Sequence, residues 1–112
     1  MIEKVLYDFL NDRLSVPCWL EVPKDAPDSY VIIERTNSSR RNHIMTAVFA
    51  IQSYAASLYD AAALNQEVRG VMEELNGSAL VGAALFQSDY SQTNLPKKQY
   101  RYQAVYNIVY RG

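Results

Sequence analysis

His43 and Cys18 are the side chains best suited to nucleophilic or general-base chemistry, and the sequence holds one histidine and one cysteine. An imidazole changes charge near neutral pH, and a thiolate is a strong nucleophile once its proton is drawn off. Neither stands in a setting that would use it. Cys18 lies between Pro17 and Trp19 with no base beside it, and reads as a small buried apolar residue. His43 falls at a loop–strand junction, and no serine sits in a Gly-x-Ser-x-Gly turn, so a hydrolytic triad is not indicated. A structural zinc needs about four ligands, mostly Cys and His, and the chain cannot supply them. Glu67, Glu73 and Glu74 fall on the outward side of a helix and read as solvated surface. The glycines at 70, 77, 82 and 112 are scattered, which leaves no phosphate-cradling loop. The expectation is a non-enzyme with no cofactor and no metal.

What the residue types do offer is contact. Basic side chains concentrate in two stretches, Arg35, Arg40 and Arg41 in one and Lys97, Lys98 and Arg101 in the other, whereas acidic ones gather on the second helix. A molecule with opposite charges on opposite surfaces can associate head to tail, and such contacts close into rings when the rotation permits. Tyr100 and Tyr102 belong to a tyrosine-rich C-terminal stretch, in a chain with nine tyrosines. A ring with a polar tip suits a half-buried or partner-facing surface. The net charge of −1 disfavours nucleic-acid binding through bulk electrostatics.

The elements that must position these residues are legible from periodicity. Ile2, Val5, Leu6, Phe9 and Leu10 make the apolar stripe of a first helix over Ile2 to Leu14, which ends at Ser15-Val16-Pro17. Cys18 to Val22, bracketed by prolines, reads as an edge strand, and Pro23 to Ser29 as a turn-rich loop. Tyr30 to Arg35 reads as a second strand and the wholly polar Thr36 to Asn42 as a hairpin loop. His43 to Tyr54 is a long strand with two apolar faces, as for an inner strand packed on both sides. Ser57 and Asp60 form a short capping box for a helix ending near Leu75, with Asn76-Gly77 giving a left-handed exit. Ala79 to Phe86 is an apolar strand whose Gly82 admits a close neighbour; Gln87 to Lys98 is a long loop or loosely paired hairpin. Tyr100 to Tyr110 alternates as an antiparallel strand with one buried face. The order α-β-β-β-α-β-β predicts one α+β domain over residues 1–112, a mainly antiparallel sheet of about five strands with two helices packed on one face. No segment has the length and apolarity of a membrane span or a secretory leader, so the cytoplasm is the default compartment.

Taken together these features resemble a family, the small tail-terminator or tail-completion proteins of long-tailed bacteriophages and prophages. The likeness covers nearly the full chain. It lies in the N-terminal helix, the Val16-Pro17 break, Pro27-Asp28-Ser29-Tyr30-Val31, the polar hairpin, the passage Ile51-Gln52-Ser53-Tyr54-Ala55-Ala56-Ser57, and the Tyr100-Arg101-Tyr102 entry to the last strand. The resemblance implies a virion structural protein: a homo-oligomeric ring, usually hexameric, that caps the head-proximal end of the tail tube and mediates head–tail joining. Its partners would be further copies of itself, the major tail tube protein and a head-completion or connector protein. It would have no membrane role and no sequence-specific nucleic acid, at most DNA passing through the lumen. It would assemble in the bacterial host cytoplasm and reside in the virion neck. Arg35, Arg40, Arg41, Lys97, Lys98, Arg101, Tyr100 and Tyr102 are the candidate contact residues. Two other readings fit the same size class: a different neck component, such as a connector or minor capsid protein, and a monomeric α+β domain that binds an apolar ligand.

Overall fold

A computed structural model, describing residues 1–111, builds the protein on the long third strand and on the two strands that flank it. The elements in order are α1 (Ile2–Arg13), β1 (Cys18–Trp19), β2 (Tyr30–Arg41), β3 (Ile44–Ala55), α2 (Leu58–Asn76), β4 (Ala83–Ser91), a 3₁₀ turn (Leu95–Lys97) and β5 (Tyr100–Arg111). The five strands form one sheet in spatial order β1-β2-β3-β5-β4. All pairings are antiparallel except β1 with β2, which is parallel. The fold is α+β in the expected element order.

β3 is central because both its neighbours pair along its full length, from Ile44 opposite Arg41 and Arg111 to Tyr54 opposite Tyr30 and Arg101. Its alternate residues Ala47, Phe49 and Ile51 face the helices and are fully buried with Leu6 and Leu10 of α1, Val68, Met72 and Leu75 of α2, and Ala104 and Ile108 of β5. One cluster thus joins both helices to one face of the sheet, where burial removes apolar surface from water at about 25 cal/mol per Å². The opposite face carries no helix. There Tyr30 stacks on Tyr54 at 4.6 Å, and Trp19 and Ala26 pack against them, so the loop after β1 covers only one end of that face. The two apolar faces of β3 therefore have unequal covers.

The helix boundaries follow local chemistry. Leu14 is extended (ψ 150°) and ends α1 ahead of Ser15-Val16-Pro17, where Val16, before proline, is kept out of the helical region. Ser57 Oγ accepts the Asp60 N–H at 3.1 Å, as the capping box requires. The exit from α2 differs from expectation: Gly77 has φ −87°, not a left-handed value. Asn76 ends the helix instead, its Oδ1 accepting the Ala84 N–H at 2.8 Å and drawing the chain into β4.

Several strand boundaries also differ. β1 spans only Cys18–Trp19; the chain leaves the sheet there, and Leu20 and Val22 are exposed. Thr36 to Arg41 is strand rather than loop, paired with Val48 to Ile44 after a bulge between Arg35 and Asn37. The turn is the dipeptide Asn42-His43, both at positive φ (52° and 68°), so His43 is a turn residue and not a strand start. Two successive positive φ values match the right-handed twist of a two-residue hairpin. Ladder hydrogen bonds come from backbone, so polarity at Thr36–Arg41 marks exposure rather than the end of the strand. For the same reason Gln87 to Ser91 continue β4, and the connection to β5 is a short hairpin closed by the Asn94–Gln99 bridge.

Candidate interaction surfaces

The first basic stretch lies on an exposed arm. From Glu34 onward every residue of β2 is exposed, and the arm is the far end of a three-stranded ribbon with β3 and β5. Arg35 is tied down, its guanidinium 2.8 Å from the Glu3 carboxylate of α1. Arg40 and Arg41 stand at the tip, with an Arg40 nitrogen 3.5 Å from His43 Nδ1.

The second basic stretch is at the other end of the molecule. Ile44 at the arm pairs with Arg111, whereas Ala55 pairs with Tyr100, which follows Lys97 and Lys98. A twelve-residue strand separates the two groups, roughly 35–40 Å at about 3.3 Å per residue. The stretches therefore make two poles, not one patch. Lys97 and Lys98 are exposed, with Lys98 itself at φ 50°. Arg101 points elsewhere. It donates to the Tyr54 hydroxyl at 2.8 Å and lies over that ring at 5.4 Å, on the face that carries no helix. Tyr100 and Tyr102, its neighbours along β5, are half-buried and alternate to the helix side of the sheet.

Between the poles, the helix-free face holds a row of side-chain hydrogen bonds that crosses four strands. Gln52 of β3 donates to Glu34 of β2 at 3.4 Å and to Gln103 of β5 at 3.0 Å, and Gln103 donates to the Tyr90 hydroxyl of β4 at 2.7 Å. Gln52 and Gln103 are only 9% and 8% exposed although no element lies over them. Their neighbours hide them, and mutual bonding satisfies their amides. Toward the arm the same face turns apolar: Val48, Val105 and Val109 are half-buried, and Ile44 and Leu85 are 49% and 47% exposed. The sequence showed these residues singly, but only strand register aligns them in a row.

On the helix side, a polar cluster joins α2 to β4. Asn65 Nδ2 donates to Asp89 at 2.8 Å, and Arg69 reaches the same carboxylate oxygen at 3.4 Å while lying 4.1 Å over the Phe86 ring. Phe86 meets Tyr106 edge-on at 5.6 Å. Burial pushes the Tyr106 phenol above its ordinary value, with Arg69 opposing the shift. A groove of about 400 Å³ opens here between α2 and the β4 edge, lined by Gly70, Glu73 and Asn76 on the helix and by Ala84, Leu85 and Phe86 on the strand. Residues 65, 69 and 73 fall at i, i+4 spacing beside the apolar stripe, the one sequence signal for this cluster.

Glu67 is not simple solvated surface. Its carboxylate accepts the Ser15 N–H at 2.6 Å and the Ser15 hydroxyl at 2.8 Å, holding the end of α1 to α2. Cys18 is fully buried, and burial pushes its thiol up to about 12, so it stays protonated at neutral pH. Asn11 brackets it, accepting the Cys18 N–H and donating to the Cys18 carbonyl, both at 2.9 Å. Among the described residues no group of three His, Cys, Asp or Glu is placed to hold a metal ion. Among them no helix is long and apolar enough to cross a membrane. Comparison with protein-family models and with curated proteins finds no match.

Proposed function

We propose that the protein is a virion structural component, a tail terminator whose copies form a ring at the head-proximal end of a phage tail tube. One observation carries the reading. No strand lies beyond β4 or along β2 from Ile33 to Arg41, and most of one face of the sheet carries no covering element, whereas both helices pack on the other. Unpaired edges and half-exposed apolar face residues are a liability in a solitary protein and an asset in a cyclic assembly. The two basic poles support it as well. A terminating ring meets the tube on one axial face and the connector on the other, and basic poles at opposite ends of the strands would lie on those two faces. The reaction at such a site is geometric: association that stops further tube growth.

Sizing with light scattering tests the reading. The expected result is a multimer of the 12.7 kDa chain, hexameric by resemblance, at high concentration or with tube protein, and annular particles by electron microscopy. A strictly monomeric protein with no affinity for virion components would overturn it. Exchanging Arg40 and Arg41 for glutamate tests the arm, with impaired head–tail joining expected.

A further inference from the structure

The two open edges of the sheet match each other. β1 pairs only with Val31 and Ile32, so β2 is unpaired along its outer side from Ile33 to Arg41. β4, at the opposite margin, has no strand beyond it along Ala83–Ser91, although its Ala84 N–H is already held by Asn76 of α2. The strand directions agree too. β2 opposes β3, β3 opposes β5 and β5 opposes β4, so β2 and β4 are antiparallel. A rotation about an axis along the strands would lay β2 of one copy against β4 of the next in antiparallel register, and repeat until it closes.

The existing rows of the sheet set the register of such a joint when the copies sit level. Ala83 is level with Val109, Thr46 and Ser39; Ala84 with Ile108, Ala47 and Ser38; Phe86 with Tyr106, Phe49 and Arg35. Each edge is bulged, β2 between Arg35 and Asn37 and β4 between Phe86 and Ser88, so the kinks fall at adjacent levels. A bulge and charged side chains ordinarily protect an edge from indiscriminate pairing. They leave it open to a partner that shares the kink and neutralises the charge.

That neutralising group is present. Arg40 is opposite Met45, whose alternate neighbours Ala47 and Phe49 face the helices, so Arg40 lies on the helix side of the sheet. The groove beside β4 is also on the helix side, and Glu73 lines it. Arg69 is already engaged by Asp89, whereas Glu73 is exposed and has no cation within ion-pair distance among the described residues. Gly70 leaves the groove open, with no atom within 4 Å of where its Cβ would be. The geometry points to an inter-subunit joint in which Ile33–Ser39 of one chain adds as a strand to Ala83–Asp89 of the next, with Arg40, level with Gly82 and two levels from Ala84, reaching toward Glu73 at the end of the groove beneath α2. The joint rests on the ring reading and specifies its contact. It is a strand-addition mode, in which backbone bonds give affinity and side-chain pockets give register.

Paired cysteines test it in the full chain. Ser39→Cys and Ala83→Cys place thiols at level positions on the helix-free face, while Cys18 is buried away from reagent. The double variant treated with a short bismaleimide should give a ladder of covalent oligomers, and either single variant should not. Light scattering on the untreated double variant runs in parallel. A multimer that gives no ladder overturns the joint and leaves the ring reading standing; a monomer at all concentrations overturns both. A charge exchange reads the same contact without cysteine. Arg40→Glu and Glu73→Arg should each weaken self-association about tenfold, and the double exchange should restore it. Weakening in both singles without restoration in the double overturns the Arg40–Glu73 contact. Circular dichroism on each variant separates these effects from unfolding.

Discussion

Asn65 and Arg69, one turn apart on α2, converge on a single carboxylate oxygen of Asp89 in β4, at 2.8 and 3.4 Å. The two bonds differ in worth because their donors differ in exposure. Asn65 is 2% exposed, so without Asp89 its amide would be left buried and unpaired. The Arg69 side chain is 39% exposed and can turn to water. Asp89→Ala should therefore cost about 2–3 kcal/mol in urea unfolding, and Arg69→Ala about 1 kcal/mol, part of it from the contact with Phe86. Equal losses would show that the ion pair, not the amide, fastens β4 to α2.

Asn11 serves as a partner for a strand that has too few. Its amide accepts from the Cys18 N–H and donates to the Cys18 carbonyl, doing for β1 what another strand's backbone would do. Asn11→Ala should lower stability by about 1–2 kcal/mol and abolish hydrogen-exchange protection at the Cys18 amide. Asn11→Asp retains the acceptor and loses the donor, so that protection should persist. Unchanged exchange in the alanine variant would remove Asn11 from this role.

Two glycines should answer an added methyl group with opposite signs. Gly70 is inside α2 with no atom within 4 Å of a Cβ, so Gly70→Ala should stabilise by about 1 kcal/mol. At Gly82 the same methyl would lie 3.1 Å from the Val109 carbonyl oxygen, which accepts the Gly82 N–H at 2.7 Å. Gly82→Ala should destabilise by about 1–2 kcal/mol as that bond yields. Thermal melts of the two variants, displaced in opposite directions, are the check.

Cys18 makes stability depend on alkaline pH. Its thiol is raised from 9.0 to about 12 by burial, so the folded state holds the proton more tightly than the unfolded chain. The stabilisation is complete below about pH 9 and is lost progressively as pH rises toward 12, with a slope no steeper than about 1.4 kcal/mol per pH unit. Tyr30 and Tyr106, also raised by burial, add losses of the same sign at higher pH. Cys18→Ala should remove the part that begins near pH 9, and identical pH profiles for the two proteins would exclude the thiol as its source.

The periodicity of the chain was enough to specify the helices, the inner strand and the core. Ile2, Leu6, Phe9 and Leu10, and likewise Leu64, Val68, Val71, Met72 and Leu75, repeat at helical spacing, while Ala47, Phe49 and Ile51 alternate. Burying such stripes admits few alternatives, and all of these residues are buried. Cys18 was legible as an apolar core residue, and Gly82 as a close approach, because their neighbours left little else for them to be. Tertiary structure alone decided how far the polar strands run, since Thr36 to Arg41 and Gln87 to Ser91 are held by backbone bonds to β3 and β5 that side-chain pattern does not encode. It also decided where the candidate contact residues lie. Chain order lists Arg40 and Arg101 as two basic residues of one kind; strand register puts the first on an exposed arm and turns the second onto Tyr54. Register is a relation between distant segments, and so are the Gln52–Gln103 bond and the shared carboxylate of Asp89, each made by residues at least 20 positions apart.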